Sequence, residues 1–106
     1  VPTNKLESVL SAVKVLRSLD PDMPIAQAQC LLLIASHEGL SLKELAARAG
    51  VGMASASRYV AAFSKSVGDR KGLGLVVAVE DPLERRKKTI TLTSKGRIVI
   101  NQIAGE

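Results

Sequence analysis

Apolar residues recur at helical spacing through much of the chain. Leu6, Val9, Leu10, Val13, Leu16 and Leu19 lie three or four residues apart and predict an amphipathic helix over about Asn4–Leu19. Val15 sits off that stripe and marks a second contact. Asp20-Pro21-Asp22 breaks the pattern, and Pro24 suits the first turn of a second helix. That helix runs to about His37, with Ala28, Leu31, Leu32, Ile34 and Ala35 as its buried positions and Gly39 beyond its end.

Ser41–Ser66 predicts two helices joined by a tight turn. Ser41 and Glu44 have capping-box spacing. Leu42, Leu45, Ala46 and Ala49 give the first helix one apolar face. Gly50 follows where a helix often ends in a left-handed residue. Val51 can fill the gap between the helices. The second helix starts near Gly52–Met53, with Ala56, Tyr59, Val60 and Phe63 as its inner stripe. Its outer face is Ser55, Ser57, Arg58 and Ala61. Small side chains beside one arginine suit a helix entering a major groove about 12 Å wide. An ordinary hairpin with its second helix facing water is the alternative.

The period then changes. Leu75–Val79 is a β-branched run, and Lys88–Leu92 alternates threonines with Ile90 and Leu92. Glu80–Lys87 joins them, with Pro82 and the start of a run of four bases, Arg85–Lys88. The prediction is a β-hairpin with a charged tip, better suited to a phosphate or minor-groove contact than to the alternative of a merely solvated turn. Val67–Leu73 is a basic, glycine-containing loop whose spacing is unlike a phosphate-binding GxxxxGK[ST] loop. Thr93 is an N-cap candidate for a last helix, Ser94–Ala104. Ile98, Val99, Ile100 and Ile103 leave that helix unusually apolar. It is expected to pack on the first helix of a second subunit, the alternative being its own first helix.

Length and charge narrow the picture. The 106 residues make one domain, and aromatic content of 2% means an aliphatic core whose rings are Tyr59 and Phe63. Net charge is +5, and residues 1–50 are balanced, so the whole excess lies in residues 51–106. That asymmetry favours a polyanionic partner over a merely solvated basic surface. The single cysteine, Cys30, excludes an internal disulfide and fits a reducing compartment. One cysteine and one histidine do not make a structural zinc site. Cys30 lies in an apolar run and is expected to be core, and His37 is expected to be a solvated helix end. No nucleophile has a histidine partner at a catalytic spacing, so nothing supports an enzyme, and no cofactor or metal is expected. The longest apolar run, Cys30–Ala35, is too short to span a membrane, and no secretory pattern is seen. A cytoplasmic protein is expected, bacterial or encoded by a mobile element.

Over about residues 24–97 the sequence resembles the MarR family of bacterial transcription regulators. The most specific motif is Gly74–Gly96: Gly74-Leu75-Val76, Asp81-Pro82, Glu84-Arg85-Arg86, then Leu92-Thr93 with Gly96. Leu45-Ala46, Gly50-Val51 and Ser57-Arg58-Tyr59-Val60 match the helix pair. The resemblance implies a mainly α fold with a small β-hairpin: a winged helix-turn-helix with flanking N- and C-terminal helices. Residues 41–66 are the helix-turn-helix, residues 74–93 the wing, and residues 4–19 and 94–104 candidate dimerisation helices. It further implies a homodimeric repressor on double-stranded DNA, reading a pseudo-palindromic operator and often released by a small-molecule effector. Ser55, Ser57 and Arg58 would read base edges, with Met53 on thymine methyls. Arg86 and Arg85 would enter the minor groove, and Lys65, Arg70, Lys71, Lys87 and Lys88 would neutralise phosphates.

Several positions depart from the family pattern. Glu84 replaces the usual Asp of the wing tip, and Val77–Val79 lacks the arginines of that strand. Gly52 stands where Ser or Thr is usual, and Ala56 is small. The Ser64–Leu73 loop is long, with a re-aimed wing as the expected consequence. The short C-terminal region leads to an expected dimer interface either reduced or built mainly from the first helix. These departures keep a second reading open: a winged-helix assembly module of a replication, packaging or mobile-element complex, binding DNA nonspecifically.

Overall fold

The computed structural model describes residues 3–69, 71–84 and 87–105. The elements are α1 (Thr3–Leu19), α2 (Ile25–Ser36), β1 (Leu40–Ser41), α3 (Leu42–Ala49), α4 (Met53–Phe63), β2 (Val76–Glu80), β3 (Lys88–Leu92) and α5 (Ser94–Ala104). The expected mainly α fold with flanking helices is present. The hairpin is larger than expected, because β1 adds to it and makes a three-stranded sheet in the order β1-β3-β2. Leu40 pairs with Ile90 and Ser41 with Thr89, both antiparallel. A two-residue strand has no periodicity to reveal it.

Local chemistry sets the helix ends. Asp20 Oδ1 accepts from the Asp22 N–H at 3.0 Å, which turns the chain between α1 and α2. Pro24 is the N-cap of α2, one position earlier than a first-turn proline. Ser41 Oγ accepts from the Glu44 N–H at 3.1 Å, and Glu44 Oε1 accepts from the Ser41 N–H at 3.2 Å, closing the capping box. Gly50 is left-handed, with φ 71°. Its N–H reaches Ala47 O while the Val51 N–H reaches Ala46 O, so two otherwise orphaned carbonyls are satisfied.

The core gathers Leu31 and Ile34 of α2, Leu45 of α3, Phe63 of α4 and the pair Leu75–Val76. Phe63 is its only fully buried ring, and Tyr59 is half-buried beside it. Cys30 is buried and its thiol is pushed up by desolvation, as a core residue should be. Helix α2 buries Leu31 and Ile34 as expected, with Ala28 and Ala35 half-buried, but Leu32 is exposed and Gln27 is buried at the edge of that face. Its continuous apolar run gave no periodic signal to fix the face.

Helix α1 divides in two. Val15, Leu16 and Leu19 pack against the core, but Leu6, Val9, Leu10 and Val13 are 44–60% exposed. Helix α5 packs on α1 of its own chain and buries Val99, so the expectation that it packs on a second subunit is not met within this chain. What remains open to a partner is the upper stripe of α1, with Ile98 of α5 also exposed.

The long α4–β2 loop is tied back to the end of α4. The Leu73 N–H donates to Ala62 O, Gly74 N–H to Ser64 O and Leu75 N–H to Phe63 O, at 3.1, 3.0 and 2.7 Å. The loop therefore closes at its base, and its extra length bulges out beside the wing root. Helix α5 crosses that root so closely that a Cβ on Gly96 would lie 2.0 Å from Leu75 O. A Gly96→Ala variant must push backbone apart and should lose about 1–3 kcal/mol of stability, read as a lower urea midpoint at unchanged slope.

Candidate nucleic-acid interface

Helix α4 buries Ala56 and Phe63 and turns its other side outward. Met53, Ser57 and Arg58 are exposed on it, and Ser55 is half-buried. Arg58 Nη2 donates to Ser55 Oγ at 3.2 Å, one turn back. The guanidinium carbon also lies 6.0 Å from the centre of the Tyr59 ring, at the outer limit of a cation–π contact. The arginine is thus steered along its helix, with donors left over for a partner. Of the expected outer face, Ser57 and Arg58 are exposed, while Ser55 and Ala61 are half-buried.

The basic residues beyond α4 fall into separate places. Lys65 and Lys88 line one groove between the α4–β2 loop and β2, together with Val67 and Val77. Lys88 is also the cross-strand partner of Glu80. Lys71 lies elsewhere, in a pocket with Leu19, Asp20 and Gln27. Lys87 is near the start of α3: the Glu44 carboxyl is lowered by Ser41, through its side chain and then its backbone, and further by the charges of Lys87 and Arg48. Lys71 is thus on the side of the α1–α2 turn, away from the groove that Lys65 and Lys88 line. Arg70, Arg85 and Arg86 lie outside the described residues.

The wing tip is a built turn. Asp81 Oδ1 accepts from the Leu83 N–H at 2.8 Å and from the Glu84 N–H at 3.3 Å. The Asp81 N–H donates to Lys87 O at 2.8 Å, and the Lys87 N–H to Glu84 O at 2.9 Å. The Asp-Pro pair thus does the work of a turn whose acid is an internal acceptor.

One positioning group was missed by the sequence reading. Glu38 follows α2, and its Oε1 accepts from the Leu92 N–H at 3.0 Å. The same carboxylate takes two bonds from Arg97 of α5, each 3.0 Å. A single residue so ties α2, β3 and α5 together. The partners are 54 and 59 positions away, and no local pattern signals them. Among the described residues, no cluster of His, Cys, Asp or Glu could hold a metal ion, and no helix is long and apolar enough to cross a membrane.

Element order, sheet and wing define a winged helix-turn-helix, in the arrangement of MarR-family transcription regulators. RV1404 from Mycobacterium tuberculosis superposes with a TM-score of 0.73 at 24% identity, over 97% of this chain and 65% of that one. The transcriptional repressor CouR, bound to a 23-mer DNA duplex, gives 0.69 at 22% identity, over 96% of this chain and 66% of that one. MarR of E. coli in its apo form gives 0.69 at 19% identity, over 99% and 76%. The likeness is one of fold, and the chain spans about two thirds of the length of the first two. No family model matches the sequence. No curated protein matches it either.

Glu38 gives this geometry a pH signature. Its carboxyl is held below the usual range, first by the Leu92 N–H and then by the hydrogen bonds and charge of Arg97. A lowered folded-state pKa contributes stability above the unfolded value, near 4.3, and loses it as pH falls through the folded value. Glu38→Gln should therefore be less stable than wild type at neutral pH, and the gap in urea midpoint should close progressively below about pH 4. An equal gap at neutral and acid pH would remove Glu38 as the source.

Proposed function

We propose that the chain is a sequence-specific regulator of transcription that binds double-stranded DNA as a homodimer. Helix α4 enters the major groove, with Ser55, Ser57 and Arg58 at base edges and Met53 against thymine methyls. The wing lies along the adjoining minor groove. Lys65, Lys87 and Lys88 meet phosphates, while Lys71, placed by the α1–α2 turn, contributes less. The observation that carries this reading is Arg58, held to Ser55 on the exposed face of α4, in a fold whose relatives include a repressor described as bound to duplex DNA.

The second subunit belongs on the upper stripe of α1. Four apolar side chains at i, i+3, i+4 and i+7 stand exposed there, and a two-fold partner offers the same stripe in return. A dimer of this kind sets two α4 helices on half-sites about one helical turn of DNA apart, which makes the operator a pseudo-palindrome. An effector suits the cleft of about 380 Å³ between α1 and α2, lined by Val13, Leu16, Met23, Ile25 and Leu32. Its lining calls for a largely apolar compound. Such a compound should raise the melting temperature of wild type and leave a Leu32→Glu variant unchanged.

Selection from fragmented DNA of the source, with excess competitor at physiological salt, tests the main reading. Recovery of a short inverted repeat is expected, and even recovery of all fragments would point instead to an assembly module. If about six phosphates are contacted per dimer, log affinity should fall with log salt at a slope near −5. Arg58→Ala should cost about 1–3 kcal/mol and relax sequence preference, whereas Lys88→Ala should weaken all duplexes alike and reduce the slope by about 1. Equal loss of preference from both variants would remove Arg58 from the role of reader.

A further inference from the structure

We propose that Leu83 is a DNA-contacting residue: an apolar probe that the wing tip sets into the minor groove, where it packs on deoxyribose and base edges. The inference rests on the DNA-binding reading above and adds to it a contact that carries no charge. Leu83 is 94% exposed, more than any other large apolar side chain among the described residues. No described residue packs over it.

The described residues of the turn that carries Leu83 are hydrogen-bonded to one another. Asp81 Oδ1 receives the Leu83 N–H itself, and the Asp81–Lys87 and Lys87–Glu84 backbone bonds close the tip beneath it. Pro82 fixes the preceding φ. The backbone of Leu83 is thus tied to Asp81 and follows a fixed proline, which lowers the ordering entropy left for a partner to meet.

Its neighbours say what kind of surface it meets. Arg85, Arg86, Lys87 and Lys88 follow within five residues in the sequence. An apolar pocket on a protein would have to desolvate those cations to receive the leucine, which is unfavourable without partners. A nucleic-acid groove satisfies both demands, with phosphates at its rims for the cations and sugar edges on its walls for the leucine. The minor groove, about 6 Å wide, admits a single turn-borne side chain, and apolar residues do enter it.

The test separates this contact from the charged ones. Wild type, Leu83→Ala, Leu83→Met and Lys88→Ala are titrated with the duplex recovered by fragment selection, over about 50–200 mM salt. A neutral contact releases no counterions, so Leu83→Ala should weaken binding about tenfold at every salt concentration with the slope unchanged. Leu83→Met should stay close to wild type, and Lys88→Ala should flatten the slope. Wild-type affinity in Leu83→Ala would overturn the proposal and leave the DNA reading intact. A flattened slope in that variant would overturn it too, by making the effect electrostatic. If wild type binds no duplex at any of these salts, the DNA reading fails, and the proposed contact with it.

Discussion

The close crossing of α5 over the start of the wing is the constraint on which the rest of the structure depends. Thr93 is its centre. Its hydroxyl accepts from the Gly96 N–H at 3.0 Å and donates to Gly74 O at 2.7 Å. Its own N–H donates to Leu75 O at 2.9 Å, and the Leu75 N–H donates to Phe63 O at 2.7 Å. Four segments meet there: the end of α4, the start of β2, the end of β3 and the first turn of α5. Gly96 has no Cβ because there is no room for one, and Gly74 takes φ 71° to bring its carbonyl to the threonine. Helix α4 and the wing are consequently one body, sharing a hydrogen-bonded root over the buried Leu75.

That root explains why the long α4–β2 loop is tolerated. Closing a loop of greater length costs little more entropy once its ends are held. The ends are held here by three backbone bonds, so the extra residues are accommodated in what the loop displays. Lys65 and Lys71 illustrate the consequence. They flank the same excursion in sequence but line different grooves, one beside β2 and the other beside the α1–α2 turn.

What was legible in the sequence was what short-range chemistry decides. The capping box at Ser41 and Glu44, the left-handed Gly50 and the cap at Thr93 each depend on residues within three or four positions, and all are present. The outer face of α4 followed from helical period alone. The misses share a different cause. Glu38 meets Leu92 and Arg97 only because the chain has already folded, and β1 exists only because β3 is there to pair with it. The burial of Gln27 in place of Leu32 reflects a helix apolar on nearly all sides, where the sequence does not say which side turns inward.

Helix α1 shows how one pattern can serve two bodies. Its stripe is continuous in sequence from Leu6 to Leu19, as though one core lay beneath all of it. The core of this chain reaches only as far as Val15, Leu16 and Leu19, and α5 covers part of the rest. A stripe that outruns its own core and stands about half exposed leaves roughly 1 kcal/mol per large side chain to be gained by whatever buries it. The same periodicity that stabilises the domain through its lower half therefore favours association through its upper half. Glu38 lies at the junction, joining α5 to β3, so the element packed on α1 and the strand that carries the wing are held by one carboxylate.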